Sequence, residues 1–397
     1  MRAKAIIVCA FLLTSAISMG AATYKTLYNF DDQYGIGGYA PFAGLTVGQD
    51  GNLYGVAAYG SGDYGEGTVF KLTPTAGGYW TYKTLHQFHD FEPAGGEPVG
   101  GLAMDDAGNI YGTNGSSNNR SECGTIFASS AGWGPIYTFT GGLDGCMPLA
   151  NLHYSNGMLL GTTSGGGAGG QGTVFFFDIS LGAIFPYSFQ RSAGTNPLGG
   201  FNDWHYGTAF SGGRKGEGSV YNLDVNQKAL ISKHTFKLTG HAGYAPMGDL
   251  LMMEVGSVRT MYGTTSAGSK YGDGAIYQLT QEGQSGDWQA RTLHWFSGPD
   301  GKSPMAGLTA DSAGNLYGTT SQGGDWDCGT VFKLSPKPNS NKWKYTVLYS
   351  FNPYNEDSGG DGCYPTSSVV LDSAGNLYGT TAWGGWSDTG TVYEIIP

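Results

Sequence analysis

Charged residues are scarce in this sequence of 397 residues, where they make up 13%, about half of the share usual in soluble proteins. The formal net charge is still −11, because acidic residues outnumber Lys and Arg by 31 to 20. An acidic surface repels phosphate backbones, so we expect no nucleic-acid partner. The low charge does not indicate disorder, because aromatic residues at 14% supply enough ring surface to build a core.

Long hydrophobic runs are also rare. Residues 1–22 begin with Arg2 and Lys4, continue with an apolar segment over residues 5–13 and end in small residues. This pattern is typical of a secretory signal, and the apolar segment is too short to span a membrane. We therefore predict a signal peptide over 1–22 and one secreted, extracytoplasmic domain over 23–397 without a membrane span. An uncleaved anchor is the alternative interpretation.

A sustained apolar period of 3.6 residues, the mark of amphipathic helices, does not occur in the sequence. Short apolar runs instead alternate with clusters of Gly, Asp, Asn and Pro, and Gly alone accounts for 70 residues. This alternation predicts an all-β protein.

A repeat runs through the chain. Its clearest copy, GLTADSAGNLYGTT at residues 307–320, recurs almost unchanged over 370–381 and more loosely over 44–57 and 101–113. The Gly of its Leu-Tyr-Gly segment occurs in seven copies, 46 to 61 residues apart: Gly55, Gly112, Gly161, Gly207, Gly263, Gly318 and Gly379. Seven copies at this period predict a seven-bladed β-propeller.

Each unit divides into four predicted strands. In the clearest unit they cover residues 307–311, 315–320, 329–334 and 345–351. The sequence after the signal begins with a strand of the fourth type, Tyr24 to Phe30, and ends with one of the third type, Thr391 to Ile396. We expect these two to pair, so that the N-terminal strand closes a ring of four-stranded blades and leaves no exposed sheet edge.

The motifs GNLYGTT, GTVFKL and LYSF together resemble those of the GloVer tandem repeat family. The family consists of bacterial secreted or surface proteins that combine this repeat with varied anchors. The resemblance covers nearly the whole chain after residue 22 and is most specific over residues 44–72, 101–127 and 307–397. It implies an exported bacterial protein but no established activity. Unlike many relatives, this sequence shows no C-terminal anchor, which favours release or retention by binding.

Cysteines are few, and one of the five, Cys9, lies in the predicted signal. Cys123 and Cys328 stand directly before a third strand, whereas Cys146 and Cys363 follow an Asp-Gly pair in the connection to the next blade. Both loops emerge on the same face of an up-and-down blade. We therefore predict the disulfides Cys123–Cys146 and Cys328–Cys363, each stabilising the fold by roughly 3 kcal/mol. A Cys₄ zinc site is disfavoured because there is no C-x-x-C spacing.

Known catalytic motifs are missing. The sequence contains no G-x-S-x-G, no H-E-x-x-H, no phosphate-binding glycine loop and no EF-hand spacing, so we assign no catalytic residue. His86 and His294 occupy a fourth-strand position that is Tyr in other repeats, which indicates a structural role. His205 replaces the Leu of the hairpin motif and is the one histidine that breaks the repeat.

Acidic residues in the loops leave two further options open. Paired carboxylates are suited to glycoside hydrolysis, but spacing along the chain does not give their separation in space. We expect no cofactor; the weak alternative is calcium, held by oxygen ligands from Asn355, Glu356, Asp357 and Asp361. A solvated acidic loop is the favoured interpretation of this segment.

Aromatic residues are distributed unequally among equivalent loops. The loops between second and third strands contain none in repeats two to four. In repeats six, seven and one they contain Trp326, Trp383, Trp386, Tyr59 and Tyr64. Connections on the same face add Tyr354, Tyr364, Tyr34 and Tyr39, with the interleaved acids Asp63, Asp325, Asp327 and Asp388. Flat rings beside carboxylates suit sugar recognition, so we predict a binding face here. The alternative is that these rings pack between blades as local core.

Three functions are compatible with these features. The favoured one is a secreted, monomeric, non-catalytic binding protein for an extracellular glycan or an exported protein partner. The alternatives are a glycoside hydrolase or polysaccharide lyase on a propeller scaffold, and a structural envelope protein. Short loops without a catalytic lid favour binding, although a propeller by itself does not specify an activity.

Overall fold

The computed structural model describes residues 22–31, 37–60, 65–89, 93, 95–115, 123–238, 241–255, 258–282, 288–355 and 360–397. The predicted signal lies outside these ranges except for residue 22. Seven antiparallel sheets surround one axis, which confirms the predicted seven-bladed β-propeller. Across the described ranges, the chain forms no helix with the length and apolar character needed to cross a membrane.

Strand β1 (Thr23–Asn29) comes first, and the following strands form the blades in order. Blade 1 consists of β2 (Thr46–Val47), β3 (Leu53–Ala57), β4 (Gly65–Pro74) and β5 (Trp80–His89). Blade 2 consists of β6 (Ala103–Met104), β7 (Ile110–Asn114), β8 (Thr125–Ala128) and β9 (Pro135–Thr138), with a turn of 3-10 helix at Ser129–Ala131. Blade 3 consists of β10 (His153–Ser155), β11 (Met158–Thr163), β12 (Thr173–Asp178) and β13 (Ala183–Ser188).

Blade 4 has only three strands: β14 (Tyr206–Ala209), β15 (Ser219–Asp224) and β16 (Ala229–Thr235). Blade 5 consists of β17 (Leu251–Val255), β18 (Val258–Thr265), β19 (Ala275–Glu282) and β20 (Gln289–Trp295). Blade 6 consists of β21 (Thr309–Ala310), β22 (Leu316–Thr320), β23 (Thr330–Pro336) and β24 (Trp343–Ser350). Blade 7 combines β26 (Val370–Leu371), β27 (Leu377–Thr381) and β29 (Thr391–Ile396) with β1, while β25 (Gly362–Cys363) pairs with β28 (Trp383–Gly384).

An aspartate shapes the turn between the first and second strands. Asp311 Oδ1 accepts hydrogen bonds from the backbone N–H groups of Ala313 and Asn315, at 3.0 and 2.9 Å. Its Oδ2 accepts from Asn315 Nδ2 at 2.7 Å and from Tyr317 Oη at 3.0 Å. Burial raises the pKa of this carboxyl, but the hydrogen bonds outweigh burial and leave the pKa below its ordinary value. The motif D-x-A-G-N-L-Y is therefore a self-bonded turn, and the turns of Asp105 and Asp372 repeat it.

The glycine that follows in the motif is explained by close packing. A Cβ atom at Gly318 would lie 2.6 Å from Cζ of Phe332, whose ring on the third strand covers this position. In all seven blades a Cβ at this glycine would lie 2.3–2.6 Å from a Phe or Tyr side chain of the third strand. The repeated glycine thus makes room for the fully buried ring at the centre of each blade.

The ring closes through the N-terminal strand, as the sequence predicts. Strand β1 pairs with β29 in an antiparallel register from Thr23 opposite Ile396 to Asn29 opposite Thr391. The last blade is completed by the first strand, so no blade edge is left open at the junction.

Neighbouring blades share one backbone link. A residue with positive φ precedes a proline at the entry to every blade, and its N–H donates to a carbonyl just before the third strand of the preceding blade. These residues are Ala40, Glu97, Met147, Asn196, Ala245, Ser303 and Tyr364. At two of the links the flanking residues are cysteines, and the structure contains both predicted disulfides, Cys123–Cys146 and Cys328–Cys363. Each disulfide therefore fastens one blade to the next, blade 2 to 3 and blade 6 to 7.

Candidate functional site

Blades 6 and 7 expose five rings on the face where the second-to-third loops and the blade connections emerge, and Tyr271 of blade 5 is exposed on the same face. This aromatic face consists of Trp326, Tyr354, Tyr364, Trp383 and Trp386. Their exposed fractions range from 37% for Tyr364 and Trp383 to 74–75% for Trp386 and Tyr354. These rings are therefore not part of the core between blades, because core rings such as Phe332 and Phe351 are fully buried.

The disulfide of blades 6 and 7 joins loops that carry rings of the aromatic face. Trp326 precedes Cys328 by two residues, and Tyr364 directly follows Cys363. Cys363 also pairs with Trp383 in the short ribbon of β25 and β28. The covalent bond Cys328–Cys363 therefore positions loops from two blades that carry three of the five rings. Trp326 contacts Tyr354 of the connection, with ring centroids 6.0 Å apart and planes at 69°.

Blade 1 continues the aromatic face towards the axis. Tyr59 is half-buried and contacts Tyr39, at 5.2 Å between ring centroids, and Phe42, at 6.4 Å. Phe42 in turn meets Trp383 of blade 7 edge-on at 6.3 Å. The other predicted residues of this region, Tyr34, Asp63 and Tyr64, lie outside the described residues.

The interleaved carboxylates have different roles. Asp327 Oδ1 accepts from the N–H of Gly323 at 2.9 Å, and Asp388 Oδ1 accepts from the N–H of Gly384 at 2.8 Å. Both aspartates have positive φ and shape their loops. Asp325 is exposed beside Trp326, and its backbone N–H donates to Ser350 Oγ at 2.8 Å. Asp325 is therefore the predicted carboxylate that is placed to meet a ligand on this face.

A groove between blades 7 and 1 adjoins the same loops. It has a volume of about 630 Å³, and Trp386, Tyr28, Tyr82 and Asp31 are among its lining residues. The rings of Tyr28 and Tyr82 stack at 3.8 Å with planes 5° apart, and Tyr82 Oη donates to the carbonyl oxygen of Gly37 at 2.7 Å. Burial raises the pKa of the Tyr28 hydroxyl, and Asp31 raises it further, so this hydroxyl is a proton donor at neutral pH. The groove has no signal in the sequence, because it forms between residues from the two ends of the chain.

A second cavity, of about 340 Å³, lies on the axis. Every blade contributes the residue after its entry proline, and these residues are Phe42, Val99, Leu149, Leu198, Met247, Met305 and Thr366. Next to this mainly apolar ring, Asn151 Nδ2 donates to Asp249 Oδ2 at 2.8 Å, and the N–H of Gly200 donates to the same carboxylate. The seven-fold recurrence of Pro followed by this residue was the sequence signal for the cavity.

The described residues of the candidate calcium segment make hydrogen bonds within the protein. Asp361 is buried and accepts hydrogen bonds from Tyr349 Oη, from the N–H of Asn352 at 3.1 Å and from Asn355 Nδ2 at 2.9 Å. Glu356 and Asp357 lie outside the described residues. Within the described ranges, no three His, Cys, Asp or Glu side chains are grouped to hold a metal ion.

The histidines singled out in the sequence lie in blade interfaces. His294 stacks on Tyr345 at 3.8 Å, and its Nε2 lies 2.9 Å from Asp300 Oδ2. His205 has positive φ in the turn before β14, and its ring stacks on Phe201 at 5.8 Å. Burial lowers the pKa of His205, so the ring is mainly neutral at pH 7. These contacts assign both side chains to packing.

Fold and motifs together define a propeller repeat protein. More specifically, the chain belongs to the Gloeobacter/Verrucomicrobia repeat family, whose profile matches residues 13–204, 134–282 and 202–397. No curated protein sequence matches the chain.

Two solved structures illustrate what the fold is similar to. A europium-containing methanol dehydrogenase has 10% identity and a TM-score of 0.52, with 94% of this chain and 93% of that chain covered. An α-L-arabinanase of Penicillium chrysogenum, solved with arabinobiose, has 11% identity and a TM-score of 0.46, with 94% and 98% covered. The first likeness shows a shared fold alone, and the second is too low in TM-score to support an argument about function.

Proposed function

We propose that this protein is an exported, non-catalytic binding protein that recognises an extracellular glycan with its aromatic face. One observation carries the proposal: the loops of blades 6 and 7, which a disulfide joins, expose five rings that the fold does not bury. Leaving large rings in water is unfavourable, and contiguous exposed rings on a soluble protein are typical of binding sites.

The chemistry of the face favours a sugar over an exported protein partner. Pyranose rings present C–H groups that stack on aromatic faces, and hydroxyls that donate to carboxylates. Trp326 and Trp386 supply exposed rings, Asp325 supplies a carboxylate, and the adjoining groove supplies the hydroxyl of Tyr28. A glycan chain of several residues would run from blade 6 across blade 7 to the groove beside blade 1.

Export is part of the proposal and is supported by two features. Residues 1–22 have the pattern of a secretory signal. The two disulfides favour an oxidising compartment, since cytoplasmic thiols are generally kept reduced.

A glycan array probed with the purified protein, followed by calorimetry on each positive glycan, tests the proposal. The variant carries Trp326→Ala, Trp383→Ala and Trp386→Ala together. We expect its affinity to fall at least about 100-fold, because central aromatic contacts are typically worth about 2 kcal/mol each. The control variant is Tyr79→Ala, which removes a ring that is 72% exposed in a loop between third and fourth strands, on the opposite face.

Two results would contradict the proposal. Unchanged affinity in the triple variant, with a folded protein, would place the binding site elsewhere. Cleavage of a bound glycan by the unmodified protein, detected as new reducing ends, would replace the binding function with an enzymatic one.

A further inference from the structure

The outer strands of neighbouring blades meet through a ring that recurs in every blade. In each blade this aromatic or histidine side chain lies opposite a Val or Ile of the third strand. The seven residues are Tyr28, His86, Tyr137, Tyr187, His234, His294 and Tyr349. In three interfaces this ring stacks on a tyrosine of the next blade. The stacked pairs are Tyr28 with Tyr82 at 3.8 Å, His294 with Tyr345 at 3.8 Å and Tyr349 with Tyr24 at 4.4 Å.

In three of the seven blades, a carboxylate from the blade connection is a further partner of this ring. Tyr137 Oη donates to Asp144 Oδ2 at 2.9 Å, and Tyr349 Oη donates to Asp361 Oδ2. His294 Nε2 lies 2.9 Å from Asp300 Oδ2, so His294 has both partners, a stacked ring and a carboxylate.

Between blades 4 and 5, the residues that the structure describes provide neither partner to His234. The stacking position is the fourth-strand residue that lies opposite a leucine of the third strand. It holds Tyr82 in blade 1 and Tyr345 in blade 6, but Ala290 in blade 5. The connection over residues 237–243 contains no acidic residue. A groove of about 260 Å³ lies here, and His234 and Ala290 are among its lining residues.

Ala242 stands where other connections have the aspartate, three residues before the positive-φ residue Ala245, and a lysine and a histidine line the groove nearby. Lys237 and His241 line the groove, and Trp295 Nε1 donates to the carbonyl oxygen of His241 at 2.9 Å, which fixes this connection to blade 5. Arg291 also lines the groove, but its guanidinium donates to the carbonyl oxygen of Asn341 in blade 6. The surrounding sequence shares this bias: residues 191–291 hold nine Lys and Arg against eight acidic residues, in a chain with a net charge of −11.

The groove opens only where the connection lacks an acidic residue and the stacking position also holds a small side chain. The connection after Tyr187, over residues 190–194, also lacks an acidic residue. There Leu230 occupies the stacking position and packs in the same apolar cluster as Tyr187. Six blades have a regular register at the stacking position. Among these six, only blade 5 has a side chain as small as that of Ala290 there.

We propose that the groove between blades 4 and 5 binds a small ligand made of a six-membered ring that carries a carboxylate. The ligand ring fills the space above Ala290 and stacks on His234, as Tyr345 stacks on His294. The ligand carboxylate lies between Lys237 and His241. This site is separate from the aromatic face of blades 6, 7 and 1, so either proposal can fail without the other.

Calorimetric titration of the purified protein with four probes tests this site. Glucuronate represents a sugar acid and benzoate an aromatic acid; glucose lacks the charge, and sulfate lacks the ring. We expect saturable binding of one or both acids, at least tenfold weaker in 0.5 M than in 0.05 M NaCl because the pairing is electrostatic. Which acid binds identifies the source of the ring. Equal binding of sulfate or of glucose, or no binding of either acid, would overturn the proposal.

Two variants localise the binding. Ala290→Tyr restores the ring found in blades 1 and 6, so we expect an unchanged or higher melting temperature and loss of acid binding. Lys237→Gln changes an exposed side chain and should weaken binding at least tenfold without affecting folding. Tyr82→Ala is the matched control, because it opens the same position beside the acidic Asp31 and should not create an acid site. Undiminished binding in both Ala290→Tyr and Lys237→Gln would exclude the groove.

Discussion

Replacing Phe30 tests how the ring is closed. Its side chain is 1% exposed at the junction of blades 7 and 1, with its ring centroid 5.3 Å from that of Phe70. The backbone N–H of Phe30 donates to the carbonyl oxygen of Gly390 at 3.0 Å, and its carbonyl oxygen accepts from Thr389 Oγ1 at 2.5 Å. Phe30→Ala would leave a cavity at the point where the first strand joins the last blade. Burial of this degree predicts a loss of about 3–5 kcal/mol in the free energy of unfolding.

The size of the domain converts this loss into a modest change in melting temperature. At about 2.1 cal/mol/K per residue, the unfolding entropy of a domain this large is roughly 0.8 kcal/mol/K. We therefore expect Phe30→Ala to lower the melting temperature by about 4–6 °C in differential scanning calorimetry. Phe236→Ala is the matched control, because Phe236 is also 1% exposed and occupies the same position at the end of blade 4.

The two variants should differ in where the protein opens. Phe30 directly follows the terminal strand β1, so loss of its side chain should release β1 and expose the edge of β29. We expect faster hydrogen exchange in β1 and β29 for Phe30→Ala and no such local change for Phe236→Ala. Identical exchange patterns in the two variants would refute the role of β1 as the closing strand.

A new disulfide should reverse the opening. Tyr39 and Thr389 occupy the positions that correspond to Cys146 and Cys123, since the N–H of Ala40 donates to the carbonyl oxygen of Thr389 at 2.9 Å. Tyr39→Cys with Thr389→Cys should therefore form a bond between blades 7 and 1. In the Phe30→Ala background we expect this bond to restore slow exchange in β29. A formed disulfide without any recovery would show that blade separation is not the cause of the opening.

Three further predictions concern the disulfides, the turns and the motif glycine. Changing Cys328 and Cys363 to Ser should cost about 3 kcal/mol by denaturant unfolding and weaken glycan binding, whereas the same change in the other disulfide should cost stability alone. The pKa of Asp311 is lowered in the folded protein, so the Asp311 carboxylate stabilises the fold above the unfolded pKa of about 3.9. This stabilisation is lost as the pH falls below that value. Asp311→Asn should therefore reduce the pH dependence of stability measured between about pH 6 and 2.5. Gly318→Ala should cost about 1–3 kcal/mol in urea unfolding because its Cβ would meet the ring of Phe332, and Phe332→Leu in the same chain should recover part of that loss.

Much of the fold could be predicted because its determinants are local and repeated. The turn of Asp311 and the strands around it are specified within a few residues, and the same pattern recurs along the chain. Blade 4 departs from the prediction of four strands because its first segment is taken up by a turn. Asn202 Oδ1 accepts from the N–H groups of Trp204 and Tyr206, at 3.1 and 3.0 Å, which leaves no regular strand next to β14.

The candidate sites could be predicted only in part, because their walls come from different blades. Exposed rings such as Trp326 could be nominated from the inequality of equivalent loops. The groove of Tyr28, Tyr82 and Trp386 could not, since it depends on contacts between the start and the end of the chain. The groove at Ala290 required the strand register, because a single small residue has meaning only against the tyrosines at equivalent positions.

Comparison of equivalent positions in the seven blades distinguishes residues that the fold requires from residues that it does not. Gly318 and its counterparts are the same in every blade because every blade has to accommodate a buried ring, so their identity carries no information about a ligand. A single departure from the repeat is equally uninformative, since drift in one blade can be absorbed by a neighbour, as Leu230 does for Tyr187. Around His234 two features coincide, the small side chain of Ala290 at the stacking position and the basic side chain of Lys237 on the wall of the same groove. Random drift does not favour a positive charge next to the space left by a ring. A ligand that has a ring and a negative charge would interact with both the space and the charge.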